Sequence, residues 1–204
     1  MEVVKLTMAK LSITYNHDKE KYIFNKYRDA FEEHEGKSPN LNQPADKKKA
    51  NKIAQELRQA WEPKEKEFIK NLNWFYDCEF KIDGWTGYLI RSRICPYSPD
   101  EKFFAISLDK PLSDQLLTIG HELFHQPFHF HWEEKCLEIF QDEQVVHCLK
   151  ESLTELLNTP KFNLTDEIDP GWGDPCEEFI RHLIKKYHRE NGPFKFKAFL
   201  QWIK

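Results

Sequence analysis

Two histidines and the glutamate between them form the part of this 204-residue chain best suited to chemistry, the HExxH sequence of residues 121–125. An α-helix has 3.6 residues per turn, so His121 and His125 lie on one face and can present two imidazoles to one metal ion. Glu122 lies beside that pair, where its carboxylate can accept a proton from a zinc-bound water. The segment therefore predicts metal-assisted hydrolysis with Glu122 as the general base.

The residues around the motif predict a helix that would position the two imidazoles. Ser113 is a favourable N-cap residue, and the stretch from Asp114 to His125 contains no helix breaker except Gly120. Pro127 lies just beyond the second histidine and cannot donate a backbone hydrogen bond within a helix. We therefore expect the metal-binding helix to end at Pro127.

A third metal ligand is required, because a catalytic zinc ion usually has three protein ligands and one open position for water. His131 is a candidate, since it completes the spacing HExxHxxxxxH that metzincins use. Two features disfavour it. Phe128 replaces the glycine that lets such chains turn, and the only methionines, Met1 and Met8, cannot form a turn beneath the metal. His131 is therefore a second choice.

Glu151 and Glu155 are the other candidates, on a helix predicted for residues 142–158. The stretch from Glu151 to Glu155 resembles the ligand helix of thermolysin-like gluzincins, where an acid four residues after the metal-binding glutamate contacts the first histidine. The resemblance implies that one carboxylate would bind the metal and that the other would orient His121 through a hydrogen bond. That acid is normally aspartate, so the order of the two roles stays open. Glu151 is the first choice, and Glu155 is a second choice beside His131.

The remaining chain predicts helices and a small sheet. Residues 1–75 read as a mostly helical N-terminal portion that follows a short strand within residues 3–15, with helices at 17–35 and 46–73. Runs rich in aromatic and β-branched residues then predict a small, mostly antiparallel sheet, with strands at 75–82, 88–95 and 103–108. The last strand leads directly into the metal-binding helix and could offer its edge to an extended peptide. A late helix should begin at Asp174 and Pro175.

These elements predict an α+β fold in one domain of residues 1–204. Residues 1–75 would form its helical N-terminal portion, and residues 76–204 would carry the strands, the metal site and the C-terminal helices. With 40% hydrophobic residues, a chain of this length can bury the core of one domain.

Charge and cysteine content limit the protein classes open to this chain. A formal net charge of −4 gives no general attraction to nucleic acid or to anionic membranes, and no apolar run is long enough to span a bilayer. Five cysteines without a CxxC pair fit reduced thiols better than a disulfide framework. The start of the sequence has no secretory signal, so we expect a cytoplasmic protein that binds neither nucleic acid nor membrane.

Several features between Phe103 and about Pro160 occur together in one family. They are the strand Phe104-Ala105-Ile106-Ser107-Leu108, Leu112-Ser113, the segment Thr118 to His125, the distance from His125 to Glu151, and Leu156-Leu157 with the nearby Pro160. On these features the region resembles the ImmA/IrrE-like family of small cytosolic zincins. The family often has glycine where Phe124 stands, and its glutamate lies further before the paired leucines than Glu151 does. The resemblance implies a zincin-like fold, a Zn²⁺ cofactor and a role as a regulatory protease or antirepressor.

Two functional hypotheses follow. The first is a zinc-dependent metallopeptidase, a hydrolase of protein or peptide substrates, in which His121, His125 and Glu151 hold Zn²⁺ and Glu122 deprotonates the bound water. The second is a non-catalytic metal-binding regulatory or interaction protein on a zincin scaffold. The intact Glu122 argues against the second hypothesis, because a purely structural site needs no base. Peptide hydrolysis also needs an oxyanion-stabilising residue, for which the candidates are His129, His131, His147 and Tyr187.

Overall fold

The structure, a computed structural model, describes residues 10–35, 41–171 and 173–203. The chain divides into two compact units. The first unit contains the residues up to Glu65 together with Lys81–Leu108, and the second contains Lys66–Phe80 together with Asp109–Lys204. Helices and a small sheet make up an α+β architecture, which confirms the predicted class.

The first unit contains a four-stranded sheet with the order β1-β2-β4-β3. Its strands are β1 (Ser12–Tyr15), β2 (Thr86–Ile90), β3 (Tyr97–Ser98) and β4 (Phe103–Ser107). The predicted mostly antiparallel sheet is wrong, because β1 and β4 both run parallel to β2 and only the short β3 pairs antiparallel. No tight hairpin joins the three longer strands, and the connections between them return the chain to the same end of the sheet.

Strand β4 lies inside the sheet, so the prediction that it offers a free edge to a peptide is also wrong. It pairs with β2 on one side and with the two residues of β3 on the other. All five of its residues are buried, as expected for an inner strand of a largely parallel sheet. Phe103 and Ala105 pack into a hydrophobic cluster of the first unit with Ile23, Phe24, Phe31 and Ile90.

Three helices belong wholly or partly to this unit: α1 (His17–Lys26), α2 (Arg28–Glu35) and α3 (Lys47–Tyr76). The helix predicted for 17–35 is divided at Tyr27, whose φ of −113° and ψ of 28° leave the helical region. Helix α3 passes through Pro63 and continues to Tyr76. The strand predicted for 75–82 therefore does not form, because Phe75 and Tyr76 extend the apolar face of α3 that already carries Phe68 and Leu72.

The second unit is helical over its described residues and contains the predicted site. After the end of α3 it has α4 (Leu112–His131), α5 (Glu133–Phe140), α6 (Glu143–Ser152), a 3₁₀ segment (Leu153–Asn158), α7 (Pro175–Asn191) and α8 (Phe196–Ile203). The predicted start of α7 is confirmed, with Asp174 as N-cap accepting the backbone N–H groups of Cys176 and Glu177. The helix predicted for 142–158 is α-helical only as far as Ser152.

Helix α4 differs from the prediction at both ends. It begins at Leu112 after Pro111 rather than after a Ser113 cap, and it continues through Pro127 to His131. A proline inside a helix costs about 3 kcal/mol. On either side of it, Phe124 and Phe128 are fully buried against aromatic rings from α3 and α8, and burial of each contributes about 1.5–3 kcal/mol. Burial of both phenylalanines therefore outweighs the cost of the proline.

Gly120 allows close packing against the helix that carries the motif. A Cβ atom at this position would lie 2.6 Å from Leu164 Cδ1 and 3.2 Å from Leu157 Cδ2. The glycine next to His121 is thus required by packing behind the motif, with Leu157 supplied by the 3₁₀ segment. In the described part of the chain, no helix is both long enough and apolar enough to cross a bilayer.

Candidate metal centre

Helices α4 and α6 bring together the two motif histidines and the first-choice glutamate. Glu151 Oε2 lies 3.4 Å from His121 Nε2 and 3.2 Å from His125 Nε2. One ligand atom from each of the three residues lies within 4.8 Å of the other two. His125 and Glu151 are buried and His121 is largely buried, so the donors converge out of bulk water. Two imidazole nitrogens and one carboxylate oxygen are a ligand set that zinc accepts.

The two second-choice ligands lie elsewhere. Glu155 is in the 3₁₀ segment and pairs with Arg181, whose Nη2 is 2.8 Å from Glu155 Oε2, and with Lys185 at 3.4 Å. His131 is exposed at the end of α4, because the helix continues past Pro127 and turns this residue off the face of the motif. Within the described residues, the metal-binding group that includes the motif contains neither of them.

Asp169, rather than Glu151 or Glu155, forms the hydrogen bond to His121 that was predicted for one of these two glutamates. Its Oδ2 lies 2.9 Å from His121 Nδ1, and its side chain is almost fully buried. A hydrogen bond from Nδ1–H to a carboxylate fixes the ring orientation and leaves Nε2 directed toward Glu151. The backbone N–H of Asp169 donates to Asn158 Oδ1, which anchors the loop to the end of the 3₁₀ segment.

Sequence reasoning missed Asp169, although one signal was available. Asp169-Pro170-Gly171 is a turn sequence, and Gly171 has a left-handed φ of 70°. Its N–H donates to Asp169 Oδ1 at 2.9 Å. The turn therefore holds the carboxylate in place by a local contact, but no spacing rule connects it to a histidine 48 residues earlier.

Lys150 is a second residue that the sequence did not single out. Its ammonium group lies 2.9 Å from Glu151 Oε1, and both side chains are buried. The two oxygens of Glu151 therefore have different surroundings, Oε1 facing the lysine and Oε2 facing the imidazoles. This arrangement directs one oxygen to the site of the two histidines.

Burial and charge shift the ionisation of these groups strongly. Burial lowers the pKa of His125 to about 3 and so favours the neutral imidazole that metals bind. Burial opposes a charge on His121 too, but its hydrogen bond to Asp169 and its contact with Glu151 outweigh burial and raise its pKa well above the ordinary value. Burial alone would raise the pKa of Glu151, yet the neighbouring His125 and His121 hold it well below its ordinary value. For Asp169, the hydrogen bond with His121 outweighs burial and lowers the pKa to about 2.

Glu122 carries a buried carboxylate with one unsatisfied oxygen. Burial raises its pKa to about 8; the positive charge of His121 opposes this shift and the negative charge of Glu151 adds to it. Its Oε2 is buried and accepts no hydrogen bond from any described residue. An unsatisfied buried polar atom costs about 1–3 kcal/mol, so this carboxylate destabilises the fold. A proton-transfer role would explain why it is present.

Behind Asp169 lies one buried arginine among several acids. Arg181 of α7 contacts Glu155 at 2.8 Å, Glu177 at 3.4 Å and the Asp169 Oδ1 at 3.8 Å. Its Nη2 also donates to the backbone carbonyl of Asp169, and its Nη1 donates to Thr154 Oγ1. The guanidinium thus joins the 3₁₀ segment, the Asp169 turn and α7. This network positions the carboxylate that orients His121.

Three of the candidates for oxyanion stabilisation, His129, His147 and Tyr187, lie in three different environments. His129 Nδ1 lies 2.8 Å from Glu133 one turn along the chain, and His147 is exposed on α6. Tyr187 packs among Phe194, Phe199 and Trp202. His129 lies one turn after His125 on the same face of α4, and its ring is close enough to Lys150 and Glu151 for their charges to act on its pKa.

Substitution of Gly171 by alanine is expected to weaken both the fold and the orientation of His121. The left-handed φ costs a non-glycine residue about 1–2 kcal/mol, and the new Cβ would also collide with the carboxylate of Glu177. Gly173→Ala is a matched control, because Gly173 has a φ of 76° but no atom within 4 Å of its Cβ position. Urea denaturation should show a larger loss of stability for Gly171→Ala. Equal losses would show that the contact with Glu177 contributes nothing.

Comparisons of the chain with protein-family profiles, with curated proteins and with solved structures give no match. The resemblance between residues 103–160 and the ImmA/IrrE-like zincins therefore rests on the quoted residues. The case for a function rests on the chemistry of the site itself.

Proposed function

We propose that this protein is a zinc-dependent metallopeptidase of the gluzincin type, with a zincin-like fold, that hydrolyses peptide bonds of a protein substrate. The observation that carries the proposal is the position of Glu151 Oε2, 3.2 and 3.4 Å from the Nε2 atoms of His125 and His121. Two neighbouring imidazoles are common on helices. Here both imidazoles lie next to one buried carboxylate oxygen, that of Glu151. A second carboxylate, that of Glu122 directly after His121, is buried with one unsatisfied oxygen. This combination is typical of a hydrolytic metal site.

The residues present fit a zinc ion. His121, His125 and Glu151 would hold it, since they supply the nitrogen and oxygen donors that zinc prefers and leave one coordination position open. When bound, the metal would act as a Lewis acid that makes water a nucleophile near neutral pH. Asp169 holds the His121 ring through its Nδ1 atom, which leaves Nε2 for the metal. Lys150 holds the Glu151 carboxylate through Oε1, which leaves Oε2 for the metal.

Glu122 would carry the proton transfers. Its free Oε2 would accept a proton from the water that attacks the peptide carbonyl, and would then deliver that proton to the amide nitrogen as the C–N bond breaks. The family resemblance adds a regulatory role for the cleavage to this proposal.

The second hypothesis is a metal-binding interaction protein without catalysis. Metal content and cleavage measured together separate the two. We expect one zinc ion per chain at the motif, hydrolysis of a mixture of unstructured peptides, loss of cleavage on chelation, and recovery when zinc is restored. A zinc-loaded protein that cleaves no peptide in such a mixture would favour the interaction protein. A protein that binds no zinc through His121, His125 and Glu151 would contradict both hypotheses.

Asp169→Asn is expected to weaken zinc binding by about 10–100-fold, the usual effect of losing an outer partner of a histidine ligand. The amide cannot stabilise the His121 ring as the carboxylate does, although it has nearly the same shape. The measurement is a competition titration against a zinc chelator. Asp166→Asn is the control, since Asp166 is exposed in the same loop. Equal zinc affinities for the two variants would show that Asp169 does not support zinc binding by His121.

A further inference from the structure

A second cluster of donor atoms lies where α6 meets the start of α7. Cys148, Asp174 and Cys176 each offer one ligand atom, and these atoms lie within 4.8 Å of one another. Cys148 Sγ is 3.7 Å from Asp174 Oδ1. Neither Cys148 nor Cys176 forms a disulfide. The cluster shares no residue with the group of His121, His125 and Glu151.

Local structure explains why these donors meet although they are far apart in sequence. Asp174 is the N-cap of α7, and its Oδ1 accepts the N–H of Cys176 at 2.8 Å, which fixes Cys176 in the first turn. Cys148 lies on the buried face of α6, which packs against α7 through Ser152, whose hydroxyl donates to the Glu177 carbonyl at 3.1 Å. The two helices thus hold the sulfurs side by side. The two cysteines form no CxxC motif, so the sequence alone did not predict that they lie together.

The chemistry of the cluster favours a metal ion over a disulfide. A disulfide needs only two sulfurs, whereas here a carboxylate completes a set of three donors. Gln144 Nε2 also lies 3.7 Å from Cys148 Sγ, in the direction of a hydrogen bond to sulfur, the kind of outer contact that supports a metal-bound thiolate. Access is available, because Asp174 is exposed and Cys176 is half-buried. Two thiolates and a carboxylate suit a thiophilic divalent cation such as Zn²⁺, with one position left for water.

We propose that Cys148, Asp174 and Cys176 form a second metal site that binds a thiophilic divalent cation and cross-links α6 to α7. Helix α6 carries Glu151 of the first site, and α7 carries Arg181, which holds the Asp169 turn. A cation here would therefore stabilise two of the helices that support the first site. The second site does not depend on the proposed peptidase function, because it has its own ligands.

Cobalt(II) substitution tests the proposal directly, since only sulfur ligands give an intense near-ultraviolet charge-transfer absorption. The reduced full-length protein, titrated with Co²⁺ alone, should develop that absorption. The Cys148→Ser/Cys176→Ser double variant should lose it and bind one cobalt ion fewer per chain. Cys176→Ser, which keeps one sulfur donor, should show a weaker absorption. Cys78→Ser/Cys95→Ser is the matched control and should keep it, because neither cysteine belongs to the cluster. His125→Ala should also keep it, which separates this result from the fate of the first site.

Two results would overturn the proposal. One is a reduced wild-type protein without the sulfur-to-cobalt absorption. The other is an absorption that keeps its wild-type intensity in Cys176→Ser, the half-buried position at which substitution disturbs the core least. If the absorption is absent and mild oxidation by hydrogen peroxide removes two thiols in the wild type but none in the double variant, the pair forms a disulfide instead. In that reaction each thiol loses a proton and an electron, and peroxide is reduced to water.

Discussion

Glu122→Gln is expected to lower kcat for peptide hydrolysis by roughly 10²- to 10⁴-fold, the usual contribution of a general base. The same variant should bind as much zinc as the wild type, because Glu122 lies outside the group of three donors. Glutamine has nearly the same size and remains in the same buried position, but its amide cannot accept a proton from water. The two effects therefore separate catalysis from metal binding.

The measurement is zinc content and cleavage rate on the same preparation, with Glu143→Gln, an exposed position at the start of α6, as the control. If Glu122→Gln lost zinc as well as cleavage, Glu122 would be a ligand or a structural residue. If the variant cleaved at the wild-type rate, Glu122 would not be the base. Its stability should not fall, because the carboxylate oxygen that it replaces has no hydrogen bond to lose.

Arg181→Met is expected to destabilise the protein by about 3–5 kcal/mol, the range seen when one partner of a buried ion pair is removed. Arg181 is 6% exposed and lies among the carboxylates of Glu155, Asp169 and Glu177. Methionine fills similar space but leaves these acids without their common cation. The midpoint of urea denaturation should fall accordingly, and zinc affinity should fall with it, because the carbonyl of Asp169 loses its donor.

Lys185→Met is the matched control for Arg181→Met. Lys185 also pairs with Glu155, at 3.4 Å, but its side chain is 57% exposed. Exposed ion pairs contribute at most about 1 kcal/mol, so this variant should unfold near the wild-type midpoint. Similar midpoints for Arg181→Met and the wild type would show that the buried network contributes nothing to stability or to the position of Asp169.

The part of the site that local spacing determines could be predicted from the sequence. His121 and His125 lie on one helical face because of the period of the helix. Glu151 was preferred because the stretch from Glu151 to Glu155 resembles the ligand helix of gluzincins. The structure brings these three residues together. The N-cap at Asp174 was predictable for the same reason, since a cap depends only on its neighbours.

Contacts between distant segments could not be predicted in this way. Asp169 lies in a loop whose sequence indicates a turn but not its target, and Arg181 and Lys150 look like ordinary charged positions of helices. The direction of the strands depends on the path of long connections, which composition does not encode. Pro127 misled the prediction, because the burial of Phe124 and Phe128 outweighs a local rule about proline.

Crystals of the zinc-loaded protein, measured for anomalous scattering at the zinc absorption edge, test the central claim most directly. We expect a peak about 2.0–2.2 Å from the Nε2 atoms of His121 and His125 and from Glu151 Oε2. A peak bound by Glu155 or His131 in place of Glu151, or no peak beside the two imidazoles, would contradict it.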